Sequence, residues 1–128
     1  VILIDTSAWI EFLRDTGSPV CQRVDQLLGE SIACTDTVRM EVLAGARDEG
    51  QLQQLTRLLA RAEMLATEPV HYDAAAQMYR TCRHNGETPR KLIDCLIAAV
   101  AVANGAPVLH QDADFDTLAR HTSLTVVA

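Results

Sequence analysis

The chain has 128 residues and a net charge of −6, a length that suits one domain around one core. Hydrophobic residues make up 48% of it but aromatics only 4%, so Leu, Val, Ile and Ala must supply the packing. No apolar run approaches the roughly 20 residues that span a bilayer, and the acidic balance lacks the basic footprint that phosphate binding usually leaves.

Val1-Ile2-Leu3-Ile4 is a short, wholly apolar run, as expected of a strand inside a parallel sheet. No basic region precedes it, so it does not read as a secretory leader. Thr6 or Ser7 is expected to cap a helix carrying Trp9, Ile10, Phe12 and Leu13. A second helix is expected from Pro19 to Leu28, with Pro19 in its first turn. A short strand over Ser31 to Cys34 leads to a helix introduced by Asp36 and closed near Gly45. Asp48 opens another, with Leu52, Leu55, Leu58 and Leu59 at helical spacing. Met64 to Thr67 reads as a strand and Tyr72 to His84 as a long helix, broken at Gly86.

Thr88-Pro89 is expected to cap the next helix, which Asn104-Gly105 and Pro107 end. Pro107 to His110 is a strand, Asp114 to Arg120 a helix, and Leu124 to Val127 a closing strand. Strands alternating with helices predict an α/β fold: a mostly parallel sheet with helices on both faces, residues 1–128 forming one domain. Cys21, Cys34, Cys82 and Cys95 show no metal-binding spacing and read as small buried hydrophobes in a reducing cytosol.

Asp94 is the anomaly. It stands in Lys91-Leu-Ile-Asp-Cys-Leu-Ile-Ala-Ala-Val-Ala-Val-Ala-Asn-Gly105 with no other charge between it and Gly105. A carboxylate there costs several kcal/mol of desolvation unless it is paired, protonated or bound to a cation. Arg90, one turn back, is the local candidate for a pair. Asp5 follows the first strand and Asp112 the His110 strand, so both face the sheet edge where ligands bind. Glu41 and Asp94 join them if their helices turn those faces inward. Carboxylates brought so close need a cation, and an oxygen-only set favours Mg²⁺ or Mn²⁺. Piece by piece, other readings stand open: Asp5 as a helix cap, Glu41 as a solvated residue, Asp112-Ala-Asp-Phe-Asp116 as a surface turn.

Other motifs fail. Asp112-x-Asp114-x-Asp116 begins like a calcium loop, but Thr117 replaces the required Gly and Ser123 the bidentate Glu. Gly45 and Gly50 have phosphate-loop spacing, but Gln51-Leu52 replaces Lys-Ser/Thr. His71, His84, His110 and His121 read as surface or structural residues.

The order Asp5-Thr6-Ser7, Glu41, Asp94, Asp112-x-Asp114-Phe115 resembles a PIN domain across essentially the whole chain. Ile4-Asp-Thr-Ser-Ala-Trp-Ile-Glu11, Met40-Glu-Val-Leu-Ala-Gly45 and Asp112-Ala-Asp-Phe-Asp116 resemble the VapC-type toxins of bacterial toxin–antitoxin pairs. The resemblance implies a PIN-like three-layer fold and a Mg²⁺- or Mn²⁺-dependent endoribonuclease. Asp5, Glu41, Asp94 and Asp112 would be the catalytic acids. Asp5 and Asp94 would be the first metal contacts, joined by Asp112 and the auxiliary Asp114, with Thr6 and Ser7 orienting the first acid or a water. It also implies an RNA substrate, a homodimer, and a cognate VapB-type antitoxin with a basic tail. Arg80, Arg83, His84, Arg90 and Lys91, clustered before the Asp94 helix, are candidates for RNA phosphates or simply a solvated helix end. Two rival readings are a PIN-like binding subunit whose acids only dock a basic protein, and a phosphatase using Asp5 as nucleophile. The latter lacks the usual second Asp, since Ser7 holds that position.

Overall fold

A computed structural model describes residues 1–127. Four strands, β1 (Ile2–Ile4), β2 (Ile32–Thr35), β3 (Glu63–Leu65) and β4 (Val108–Leu109), form one sheet in the order β3-β2-β1-β4. Every pairing is parallel, with Leu3 opposite both Ala33 and Val108. β1 and β2 are buried along almost their whole length, which is why they are continuous apolar runs without alternation.

Seven helices among the described residues flank the sheet: α1 (Thr6–Leu13), α2 (Pro19–Leu27), α3 (Asp36–Ala44), α4 (Glu49–Leu59), α5 (Pro69–His84), α6 (Leu92–Ala103) and α7 (Ala113–His121). None is long and apolar enough to cross a membrane. α6 buries every residue from Asp94 to Ala101, so it is a central helix and not an amphipathic one. Trp9, Leu27, Leu59, Phe115 and Leu118 fill the core beside it, each fully buried. All four cysteines are free and buried within it.

Helix starts follow side-chain capping. Ser18 accepts the Cys21 N–H with Pro19 at the first position, Thr35 accepts from Val38, and Asp48 from Gln51. Two expected caps differ. α1 is capped by Asp5, whose carboxylate takes the Ser7 N–H, and not by Thr6 or Ser7. α6 starts at Leu92, three residues after Pro89, and its N-cap Lys91 offers no side-chain cap. α5 starts earlier than expected, because Pro69 occupies its first turn and His71 Nδ1 accepts the Glu68 N–H at 2.8 Å. The closing strand reduces to a single parallel bridge between Val108 and Val126, since only Thr125 and Val127 share backbone bonds with Val108.

The connection from α5 to α6 turns at Gly86, where φ is +84° and only glycine is unstrained. Glu87 then accepts Arg120 Nη2 at 2.6 Å and Nε at 3.0 Å and meets His121 Nε2 at 2.7 Å, tying this connection to the end of α7.

Candidate active site

The site lies where β1 and β4 end. Ile4 pairs with Leu109, and the Asp5 N–H donates to the Leu109 carbonyl at 3.0 Å. The residues following the two strands therefore emerge side by side, as parallel strands require. Ser7 links them: its hydroxyl donates to Asp5 Oδ2 at 2.6 Å and accepts the Gln111 N–H at 2.8 Å. Asp5 is 3% exposed and its other oxygen, Oδ1, has no hydrogen-bond partner. Burial pushes its pKa up, Ser7 pulls it down, and the nearby Glu41 charge adds to the rise. Glu41 itself reaches in from α3 and accepts the Thr6 hydroxyl at 2.8 Å.

Asp94, Asp112 and Asp114 converge so that one oxygen from each lies within 4.8 Å of the others. Asp94 enters from the first turn of α6 and is 3% exposed. Burial, with Asp114 beside it, pushes its pKa up to about 8 despite the pull of Lys91. Its Oδ2 has no hydrogen bond; the nearest cation is Lys91 Nζ at 3.6 Å. Asp112 caps α7 by accepting the Asp114 N–H at 2.9 Å. Its Oδ2 lies 2.9 Å from Lys91 Nζ and its Oδ1 3.2 Å from Arg90 Nη2. Burial opposes its ionisation, but the Asp114 N–H and the two cations prevail and hold its pKa below the usual range. Asp114, also 3% exposed, accepts the backbone N–H of Arg90 at 2.9 Å and of Lys91 at 3.0 Å.

The expected Arg90–Asp94 pair is not formed. Arg90 turns to Asp112 and Asp114, and Lys91 approaches Asp94 instead. Arg90 and Lys91 thus sit at the acids, whereas Arg80 and Arg83 line a groove of about 530 Å³ on α5, with Thr81 and His84, that includes none of the acids.

Comparison with known families matches residues 2–121 to the PIN domain. The ribonuclease VapC11 of Mycobacterium tuberculosis is 45% identical over 128 residues, covering 97% of this chain and 96% of its own. The chain belongs to the VapC family of PIN domains. Ribonuclease VapC51 of the same organism is 32% identical over 94% of this chain and 86% of its own. The structure of VapBC2 from Rickettsia felis, bound to a promoter DNA fragment, superposes with a TM-score of 0.77 at 17% identity, covering 98% and 96% of the two chains. It shows that the fold is shared.

In this VapC chain the orphaned buried oxygens of Asp5 and Asp94 and the all-oxygen donor set suit a hard divalent cation. Three features of the site were not foreseen from sequence. Lys91 is the counter-charge of the acids, Asp114 holds the backbone that precedes α6, and His110 Nδ1 accepts the Asp112 N–H at 3.1 Å. Only the last carries a local signal, because a polar side chain two residues from an amide is placed for a turn bond.

Proposed function

We propose that the chain is a Mg²⁺- or Mn²⁺-dependent endoribonuclease and the toxin of a VapBC pair, acting as one domain over residues 1–128. The observation that carries this is the convergence of Asp94, Asp112 and Asp114 beside two buried, unpartnered carboxylate oxygens on Asp5 and Asp94. The names of the 45% and 32% identical relatives, both ribonucleases, support the substrate.

Asp94, Asp112 and Asp5 would hold the ion, with Asp114 completing the set through whatever lone pairs its two backbone bonds leave. When bound, a divalent ion supplies an activated water at neutral pH and offsets charge on the phosphate under attack. Glu41, fixed by Thr6, is the acid best placed to take a proton, since its other oxygen is not claimed by a hydrogen bond in the structure. Ser7 keeps Asp5 aimed at the site through the 2.6 Å bond. Arg90 and Lys91, both at the cluster and both largely exposed, are the cations that meet the RNA phosphates flanking the cut. Arg80, Arg83 and His84 would hold RNA farther out along their own groove. Hydrolysis by water leaves a 5′-phosphate and a 3′-hydroxyl with no covalent enzyme intermediate.

The acidic edge suits the basic tail of a cognate VapB-type antitoxin, a reading supported by the superposed structure being that of VapBC2 of Rickettsia felis. A second copy of the chain fits the apolar groove of Thr37, Met40, Tyr72, Ala75, Leu92 and Leu96, where Met40, Tyr72 and Leu92 are each about 60% exposed. Four buried free thiols support a reducing, cytosolic setting.

Mapping of RNA ends after brief expression tests the whole reading. Asp94→Asn is expected to remain folded and leave RNA uncut and growth unimpaired; parental cleavage by that variant sinks the assignment.

A further inference from the structure

We propose that His110 is a positioning residue for Asp112, acting through the lone pair of Nδ1. The inference rests on reading Asp112 as an acid of the active site. His110 is the first residue after β4, with a side chain only 9% exposed. Its ring lies 5.3 Å from that of Phe115, a fully buried core residue. Nδ1 accepts the Asp112 N–H at 3.1 Å, which leaves the ring proton on Nε2, 3.4 Å from Asp116 Oδ1. The imidazole is therefore fixed at its face by Phe115 and faced at its tip by Asp116. Its remaining nitrogen fixes the backbone at Asp112.

The neighbouring amide is held in the same way. The Gln111 N–H donates to Ser7, which also holds Asp5. Two consecutive amides of this turn are thus bound by side chains, one following β1 and one following β4. With the Asp112 N–H held, the residue sits at φ −140° and ψ 125°. From there Oδ1 caps α7 through Asp114 and Oδ2 faces Lys91. Freeing the amide lets φ of Asp112 turn, which swings the carboxylate away from Asp94. His110 is not itself placed to move a proton for the substrate, since Nδ1 is taken by the Asp112 N–H, Nε2 faces Asp116, and little of the ring meets solvent.

Isosteric substitutions separate the two nitrogens. H110N places an amide oxygen near Nδ1 and keeps an acceptor for Asp112. H110Q reaches toward Asp116 but leaves the Asp112 N–H without a partner, and H110L loses both. RNA-cleavage kcat and KM, Mn²⁺ affinity by calorimetry, amide exchange at Asp112 and melting temperature are measured for each, beside Asp112→Asn. H110N is expected to stay within about threefold of the parent in kcat and Mn²⁺ affinity, while H110Q and H110L lose roughly 10- to 100-fold, the usual scale for partners that orient a ligand. KM for RNA stays near parental, and fast amide exchange at Asp112 appears only in H110Q and H110L. Equal behaviour of H110N and H110Q, or activity that tracks melting temperature across the series, overturns the proposal. So does an Nδ1–H tautomer in the imidazole ¹⁵N spectrum of the parental protein, a measurement that needs no variant. Parental cleavage by Asp112→Asn instead overturns the reading of the site itself.

Discussion

The carboxylate of Asp114 on α7 receives the backbone N–H of Lys91 at 3.0 Å and, through its other oxygen, that of Arg90 at 2.9 Å. An acid from the end of the chain thereby does for α6 what a local cap does for other helices. It also sets the angle at which Asp94 enters the cluster.

Asp114→Ala is therefore expected to destabilise the fold as well as the site. It leaves two partly buried amides without partners, at about 1–3 kcal/mol of unfolding free energy. Urea denaturation followed by the emission of Trp9, the sole tryptophan and fully buried, measures it. An unchanged midpoint would mean that the α6 entry is held by other contacts.

Asp94→Asn should do the opposite to stability. The folded protein holds the Asp94 proton to about pH 8, and the Asp5 pKa is also raised, each chiefly by burial. In the unfolded chain these carboxyls ionise near pH 4. Below ~4 both states are protonated; from there to ~8 the unfolded state gains by ionising while the folded state does not, so stability falls as pH rises. Glu87 and Asp112, with lowered pKa values, act below that window and in the other direction. The metal-free parent should thus melt at a higher temperature at pH 5.5 than at pH 8. Asp94→Asn should remove most of that difference, and Mn²⁺ should restore the parental melting temperature at pH 8.

Lys91 Nζ, 2.9 Å from Asp112 and 3.6 Å from Asp94, occupies the space where a divalent ion's charge is wanted. Lys91→Met is expected to tighten Mn²⁺ binding about fivefold, the scale of a half-exposed ion pair worth ~1 kcal/mol. The same change should raise KM for RNA if the ammonium turns to a phosphate on binding. Calorimetry and steady-state kinetics read the two effects separately, and weaker Mn²⁺ binding would refute the competition.

Arg80 and Arg83 form no salt bridge among the described residues; Arg80 bonds Gln77 and Arg83 lies over Tyr79. If both hold phosphates, R80E/R83E should raise KM for RNA by ~10-fold or more and flatten the salt dependence of binding by about one unit per lost contact, with kcat unchanged. An unaltered salt slope would assign the groove to something other than RNA.

Leu92, 62% exposed at the start of α6, tests the apolar groove. Leu92→Arg should convert a dimer to a monomer in light scattering without lowering the melting temperature of the monomer. A parental protein that is already monomeric at high concentration removes the groove from consideration.

The first strand and the acid at its end were legible because each depends on near neighbours: the apolar run Val1 to Ile4, followed by the carboxylate of Asp5. Asp48 and Pro19 announced their helices for the same reason. Thr88-Pro89 misled because the groups that satisfy the start of α6 come from Asp114, more than twenty residues later. Thr6 and Ser7 misled differently. In Asp5-Thr6-Ser7 all three side chains can cap a helix, and which one does so is decided by what the other two reach, Glu41 for Thr6 and Gln111 for Ser7. The Arg90–Asp94 pairing failed on direction: Arg90 precedes α6 and points along the loop toward α7, leaving Lys91 nearer the buried acid. Leu124 to Val127 has strand composition but touches only the two-residue β4, too short an edge to extend a ladder.

The grip of Arg120 and His121 on Glu87 has a consequence for chain connectivity. Together with the bonds from Asp114 to Arg90 and Lys91, it fastens residues 87–91 to α7 at several points, while the exposed turn at Asn85-Gly86 carries no comparable tie. A protease nick at that turn should leave two fragments that stay associated. Residues 1–85 and 86–128, produced separately, should reassemble by complementation: the second fragment keeps the clasp and its strap within itself, and the β1–β4 pairing with the Ser7–Gln111 bond rejoins it to the first.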